Sequence, residues 1–216
     1  MTQLPTSSEQ SLRIEGLDVA RALAICGMTL VHLGMVLSGN VADDAGGWFL
    51  NRLAGRPAMI FMMLAGIGVS LRARKAQDEI SLSTLKSSLR KRGVFFFVFG
   101  YAFLIVWSGD ILRTYGLSFL LASLLITRRD RVLWSAAALA SIGLVGMLFV
   151  IDFETNWDFT TFEYDNLWTS SGTLMHLFYN GTRSIFPWAG VMMIGMIVGR
   201  RDHLDGRVPR TPTFEP

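Results

Sequence analysis

The sequence has a single cysteine, Cys26, so no disulfide can form within the chain and no cysteine cluster can hold a metal. Its three histidines, His32, His176 and His203, form no metal constellation, and no metal is expected. Charge is sparse: Asp, Glu, Lys and Arg make up 17% of the 216 residues, against 51% hydrophobic. With a mean hydropathy of +0.40, this balance argues against a soluble domain and for a polytopic membrane protein. The pI of 9.3 does not imply nucleic acid, because the basic residues flank apolar runs instead of forming one soluble face. There is no P-loop, dinucleotide fingerprint, nucleophile elbow or internal repeat, so a covalent serine mechanism has no support. The polar segment 1–10 lacks the Lys/Arg start of a signal peptide.

What the chain does have is long apolar runs. An all-α bundle of about six transmembrane spans is expected, at 16–38, 57–73, 93–109, 111–127, 132–151 and 184–199. The connections differ sharply in charge. Residues 72–92 carry Arg72, Arg74, Lys75, Lys86, Arg90, Lys91 and Arg92, the turn after the fourth span carries Arg128, Arg129 and Arg131, and Arg200 and Arg201 follow the sixth. The loop 152–182 has five acids and neither Lys nor Arg. The positive-inside rule places the basic connections and both termini in the cytoplasm of a multi-pass protein of the inner cell membrane.

Two loops carry patterns of their own. Ile80, Leu82, Leu85 and Leu89 stand near helical spacing beside Lys86 and Arg90, which predicts an interfacial helix over 80–89. The loop 152–182 holds Phe153, Trp157, Phe159, Phe162, Tyr164 and Trp168, either as headgroup anchors or as a lid over an outer mouth. Asn180-Gly181-Thr182 matches the glycosylation triplet.

Chemistry-bearing residues inside apolar runs are expensive and therefore informative. Asp18, Arg21 and His32 share the first run. At about 100° per residue, Arg21 and His32 fall within roughly 20° of one another and ~16 Å apart along the axis. His32 in neutral form could take a proton from an amine or hydroxyl nucleophile, as a general base, or it could bond a neighbouring helix for packing. Arg21 could reach the headgroups, pair with Asp18, or meet ligand phosphates. Arg56-Pro57 opens the second span, with Arg56 as an interface anchor or a substrate contact. Asp110 and Arg113, three apart, can pair on the opening turn of the fourth span. Pro187-Trp188 makes a rigid aromatic corner, and Gly190, Gly195 and Gly199 permit close helix packing.

The stretch Arg13-Ile-Glu-Gly-Leu-Asp18-Val-Ala-Arg21, running on to His32, resembles the opening of the transmembrane acyltransferase superfamily. Gly55-Arg56-Pro57 to Gly68, Trp107-Ser-Gly109-Asp110 to Tyr115, and Pro187-Trp188 to Gly199-Arg200 resemble its heparan-alpha-glucosaminide N-acetyltransferase-like bacterial members. The resemblance extends over 13–200, between polar tails at 1–12 and 201–216. It implies transfer of an acyl group, acetyl foremost, from acyl-CoA as co-substrate to a sugar, amine or related acceptor. No tightly bound cofactor is implied. His32 is then the catalytic base, Arg21 and Asp18 bind the acyl-CoA donor, and Arg56, Asp110, Arg113 and Trp188 line the acceptor's half. Where the lysosomal enzyme carries its key loop histidine, this chain has Asp43 and Asp44. Superfamily members carry further spans, so the expectation is a piece of a longer chain, or a bundle completed by a second copy or a second membrane subunit. Beside the acyltransferase reading stand a transport or export module, which the same polar helix face would suit, and a non-catalytic partner subunit.

Overall fold

The computed structural model describes residues 15–38, 45–76, 78–106, 109–158, 161 and 163–201. Asp43, Asp44, Trp107, Ser108, Phe159, Phe162, His203 and nearly all of both tails lie outside the described residues. The chain divides into two compact units, Met1–Phe61 and Met62–Pro216.

The first unit holds helix α1 (Glu15–Ser38), helix α2 (Ala45–Leu53) and the opening turns of α3 (Arg56–Lys75). Ala24 and Val31, seven residues apart and thus on one face, are buried, while Val19, Leu23, Ile25, Leu30 and Leu33 are exposed. Gly55, at φ +79°, ends α2 in the left-handed conformation that glycine adopts without a Cβ penalty. Arg56 and Pro57 follow at once; proline suits the first turn, where its missing N–H has no intrahelical partner to lose.

The second unit continues α3 and adds α4 (Glu79–Phe103), α5 (Leu112–Leu125), α6 (Asp130–Leu148) and a two-stranded antiparallel pair, β1 (Trp157–Asp158) with β2 (Glu163–Tyr164). Helix α7 (Ser170–Met175) runs into a π-helical turn, His176–Asn180, and then α8 (Ile185–Gly199). The core joins Met62 and Val69 of α3, Leu89 of α4, Phe119 and Ala122 of α5, and Leu133 and Ala137 of α6 around Met192, Met193, Met196 and Ile197 of α8. Helices α3 and α8 touch backbone to backbone. A Cβ on Gly199 would stand 2.7 Å from the Ile67 carbonyl oxygen, and the Ser70 hydroxyl donates to the Met196 carbonyl at 2.7 Å. The close packing expected of Gly195 and Gly199 is therefore met, against α3.

Among the described residues, three helices are long and apolar enough to cross a membrane: Gly16–Gly34, Arg56–Lys75 and Asp130–Leu148. A fourth span results if Ser170–Asn180 and Ile185–Gly199, bent by 43°, count as one. By length and composition the described helices thus give three candidate spans, or four with the bent pair. The segment 80–89 is not a separate interfacial helix; it is the first half of α4, which runs unbroken for 25 residues, about 37 Å. Asp78 caps α4 by accepting the Ser81 amide at 2.6 Å, and the Ser81 donors hold its carboxyl below the usual carboxylate range. The charges at 86–92 lie within this helix, so its apolar part is only 93–103. Helix α5, at 14 residues, is also short. Within α8 there is also a kink with a local cause: Pro187 disfavours helical geometry in the preceding residue, and Phe186 is extended at φ −92°, ψ 116°.

Three of the basic segments meet at one end of this unit. Arg200 donates to the carbonyls of Ile126 (2.9 Å) and Arg128 (2.7 Å) and to the Asp130 carboxylate (2.7 Å). Arg74 donates to the Arg201 carbonyl at 3.3 Å. Arg200 thereby caps the end of α5, where carbonyls lack helical partners and the dipole favours a cation.

Candidate active site

The chemistry of the second unit gathers where α4 ends and α5 begins. Gly100 lets the two helices touch: a Cβ there would lie 2.6 Å from the Arg113 amide nitrogen and 2.9 Å from Asp110 Oδ2. Asp110 precedes α5 and accepts the Leu112 amide at 2.8 Å, the Arg113 amide at 3.2 Å and Arg113 Nε at 3.4 Å. One carboxylate thus caps the helix and neutralises the guanidinium beside it. Both side chains are almost wholly buried, at 3% and 1% exposure.

Arg113 extends this pair to a third residue. Its Nη2 lies 2.9 Å from His176 Nδ1, and its guanidinium lies over the Tyr101 ring at 5.3 Å. A guanidinium, with five donors in a planar fork, can bond a carboxylate and an imidazole at once. Because arginine only donates, His176 Nδ1 accepts, and the neutral imidazole carries its proton on Nε2. Among the described residues, neither His176 Nε2 nor Arg113 Nη1 has a hydrogen-bond partner, and both atoms are buried. A buried donor without an acceptor is costly, and each of these two N–H groups is therefore a candidate contact for a ligand.

The 152–182 segment packs onto this cluster. Tyr164 meets the His176 ring edge-on at 4.6 Å, and the Trp157 ring lies at 5.6 Å. Asn180 holds the segment in place: it accepts from Tyr164 Oη at 2.7 Å, donates to the Thr155 carbonyl at 2.7 Å, and its own carbonyl accepts Trp157 Nε1 at 2.7 Å. The π-helical turn carries both His176 and Asn180, and such turns concentrate at functional sites. Gly181 closes it; a Cβ there would stand 3.0 Å from His176 Nδ1. Beyond Tyr164 lies a cavity of about 680 Å³, lined by Leu104, Glu163, Tyr164, Asp165, Leu167 and Trp168 among others.

Of the residues expected from sequence, Asp110 and Arg113 are brought together as read. Trp188 lies apart from them, with Arg183 over its ring at 5.2 Å; the Arg183 carbonyl accepts from the Thr114 hydroxyl. In the first unit, Arg21 pairs with Asp18 at 3.0 Å with both side chains about one-third exposed, His32 is half-buried on α1, and Arg56 is exposed at the start of α3. Asn180, the asparagine of the glycosylation triplet, is fully buried and bonded through its amide. His176 is the member of this cluster that was not expected from the sequence. Its signal was available, since an imidazole between Leu174-Met175 and Leu177-Phe178 is the same anomaly as His32 in the first run.

A protein-family model described as heparan-alpha-glucosaminide N-acetyltransferase, catalytic, matches residues 13–212. No curated protein and no solved structure matches the chain. With that match and its apolar helices, the chain is a membrane protein of N-acetyltransferase-like character.

Proposed function

The chain belongs to the heparan-alpha-glucosaminide N-acetyltransferase catalytic family, and from that membership we propose that it transfers an acetyl group from acetyl-CoA to an amine- or hydroxyl-bearing acceptor such as an amino sugar. The observation that carries the reading is the buried Asp110–Arg113–His176 cluster with its two unaccepted N–H donors. A thioester is already activated, so the protein must position it, supply a base and stabilise the oxyanion that develops as the acceptor attacks. His176 Nε2, directed away from the Nδ1 edge that Arg113 holds, is the donor assigned to that oxyanion. The same tautomer rules His176 out as the base, because its Nε2 is protonated while Nδ1 faces Arg113. His32 is assigned the base, and Arg21, paired with Asp18, a CoA phosphate; Arg56 and Trp188 are assigned acceptor contacts. Acidic Glu163 and Asp165 beside exposed Trp168 make the neighbouring cavity fit for a cationic acceptor. We place the protein in the inner cell membrane as a multi-pass protein, with a second copy or second membrane subunit as its partner.

A second reading, a transport module, gains one observation, the bent pair formed by α7 with its π-helical turn and α8. Broken helices line substrate sites in secondary transporters. One experiment separates the two. Purified full chain in nanodiscs, given radiolabelled acetyl-CoA and glucosamine, is expected to form N-acetylglucosamine, with formation abolished in His32→Ala. Acceptor movement across liposomes with no acetylated product would overturn the transferase reading.

A further inference from the structure

The outward face of α4 changes character in a fixed order along the helix. Ser83, Thr84, Ser87, Ser88, Lys91 and Arg92 line a hollow of about 420 Å³. Val94, Phe95, Val98 and Phe99 follow, each half or more exposed, with Phe95 and Phe99 stacked at 5.8 Å. At about 100° per residue, these ten positions fall on one half of the helix in two adjacent rows. One row runs Ser83, Ser87, Lys91, Val94, Val98; the other runs Thr84, Ser88, Arg92, Phe95, Phe99. The opposite half carries Leu89, Gly93 and Gly100, which are buried. Asp78 and Glu79, the acids at the start of the helix, fall outside this half, so its only charges are Lys91 and Arg92.

Hydroxyls, then cations, then an apolar strip is the polarity order of a phospholipid read from headgroup through phosphate to acyl chain. The spacing agrees, since Lys91 to Phe99 spans ~12 Å of helix axis, enough for the upper part of an acyl chain. We propose that this face binds an anionic phospholipid of the bilayer. Lys91 and Arg92 meet the phosphate, the serine and threonine hydroxyls meet the headgroup in the hollow, and the chain lies along Val94 to Phe99. The site sets the water–membrane boundary at Lys91 and Arg92, halfway along α4, and explains why a single helix is half polar and half apolar on its exposed face. It stands independently of the acetyl-transfer reading.

The test uses the full chain in nanodiscs of phosphatidylglycerol or phosphatidylcholine, followed by native mass spectrometry of the lipid that co-purifies. Wild type is expected to prefer phosphatidylglycerol by about tenfold or more, as two cations near a lipid surface warrant. A K91Q/R92Q double variant should lose that preference, and R128Q/R129Q, at another basic segment, should keep it. Equal retention of both lipids by wild type, or an unchanged preference in K91Q/R92Q, would overturn the proposal. A measurement on wild type alone covers a variant that fails to insert. Thermal unfolding should be shifted upward by phosphatidylglycerol and not by inorganic phosphate; a shift by phosphate without one by the lipid would also overturn it.

Discussion

Arg113 shows how much one side chain can determine. Its guanidinium is tied to Asp110 by charge, to His176 by an N–H donated into a ring nitrogen, and to Tyr101 by its face. Removing the carboxylate leaves a cation buried without a counter-charge, which typically costs about 3–5 kcal/mol. Asp110→Ala is accordingly expected to lower the unfolding midpoint in detergent sharply, and it also uncaps α5; a variant as stable as wild type would refute the ion pair's structural role. Half of this cluster was legible in the sequence, because Asp110 and Arg113 are three apart at the mouth of an apolar run. The other half was not, since His176 sits 63 residues away in a segment whose acids and aromatics read as loop. Its membership depends on a tertiary contact that no local spacing encodes.

At the scale of elements, the close approach of α4 to α5 positions the cluster. A methyl group at Gly100 would strike the Arg113 amide and the Asp110 carboxylate, so the helices must separate. Gly100→Ala is expected to cost ~1–3 kcal/mol, as overpacking does, and to cut transfer by tenfold or more through the displaced Arg113; unchanged activity would show that the approach is not needed. Arg200 acts at the far end of the same helix. Arg200→Gln removes charged donors from the last carbonyls of α5 and should destabilise by roughly 1.5–3 kcal/mol without changing KM for either substrate, which thermal unfolding and steady-state kinetics can check. The limits of α3, α6 and α8 were readable to within about three residues, because apolar runs there end at charges. The length of α4 was not. Its charged half has no helix-breaking proline, and charge marks the edge of an apolar run without marking the end of a helix. The kink at Phe186 inside α8 could have been read from Pro187 alone.

For the whole molecule, the chain has two compact units, Met1–Phe61 and Met62–Pro216. The family match covers both, from 13 to 212. His176 Nε2 is the N–H donor proposed for the acetyl oxygen, and His176→Asn isolates it. Asparagine can place an acceptor where Nδ1 meets Arg113, but it has no donor at the Nε2 position. The decisive measurement is kcat for acetyl transfer by His176→Asn beside wild type, with unfolding midpoints recorded on the same samples. The expected result is a variant close to wild type in stability and reduced by about a hundredfold in kcat, the loss associated with one missing oxyanion donor. Wild-type kcat in a folded His176→Asn variant would contradict the account.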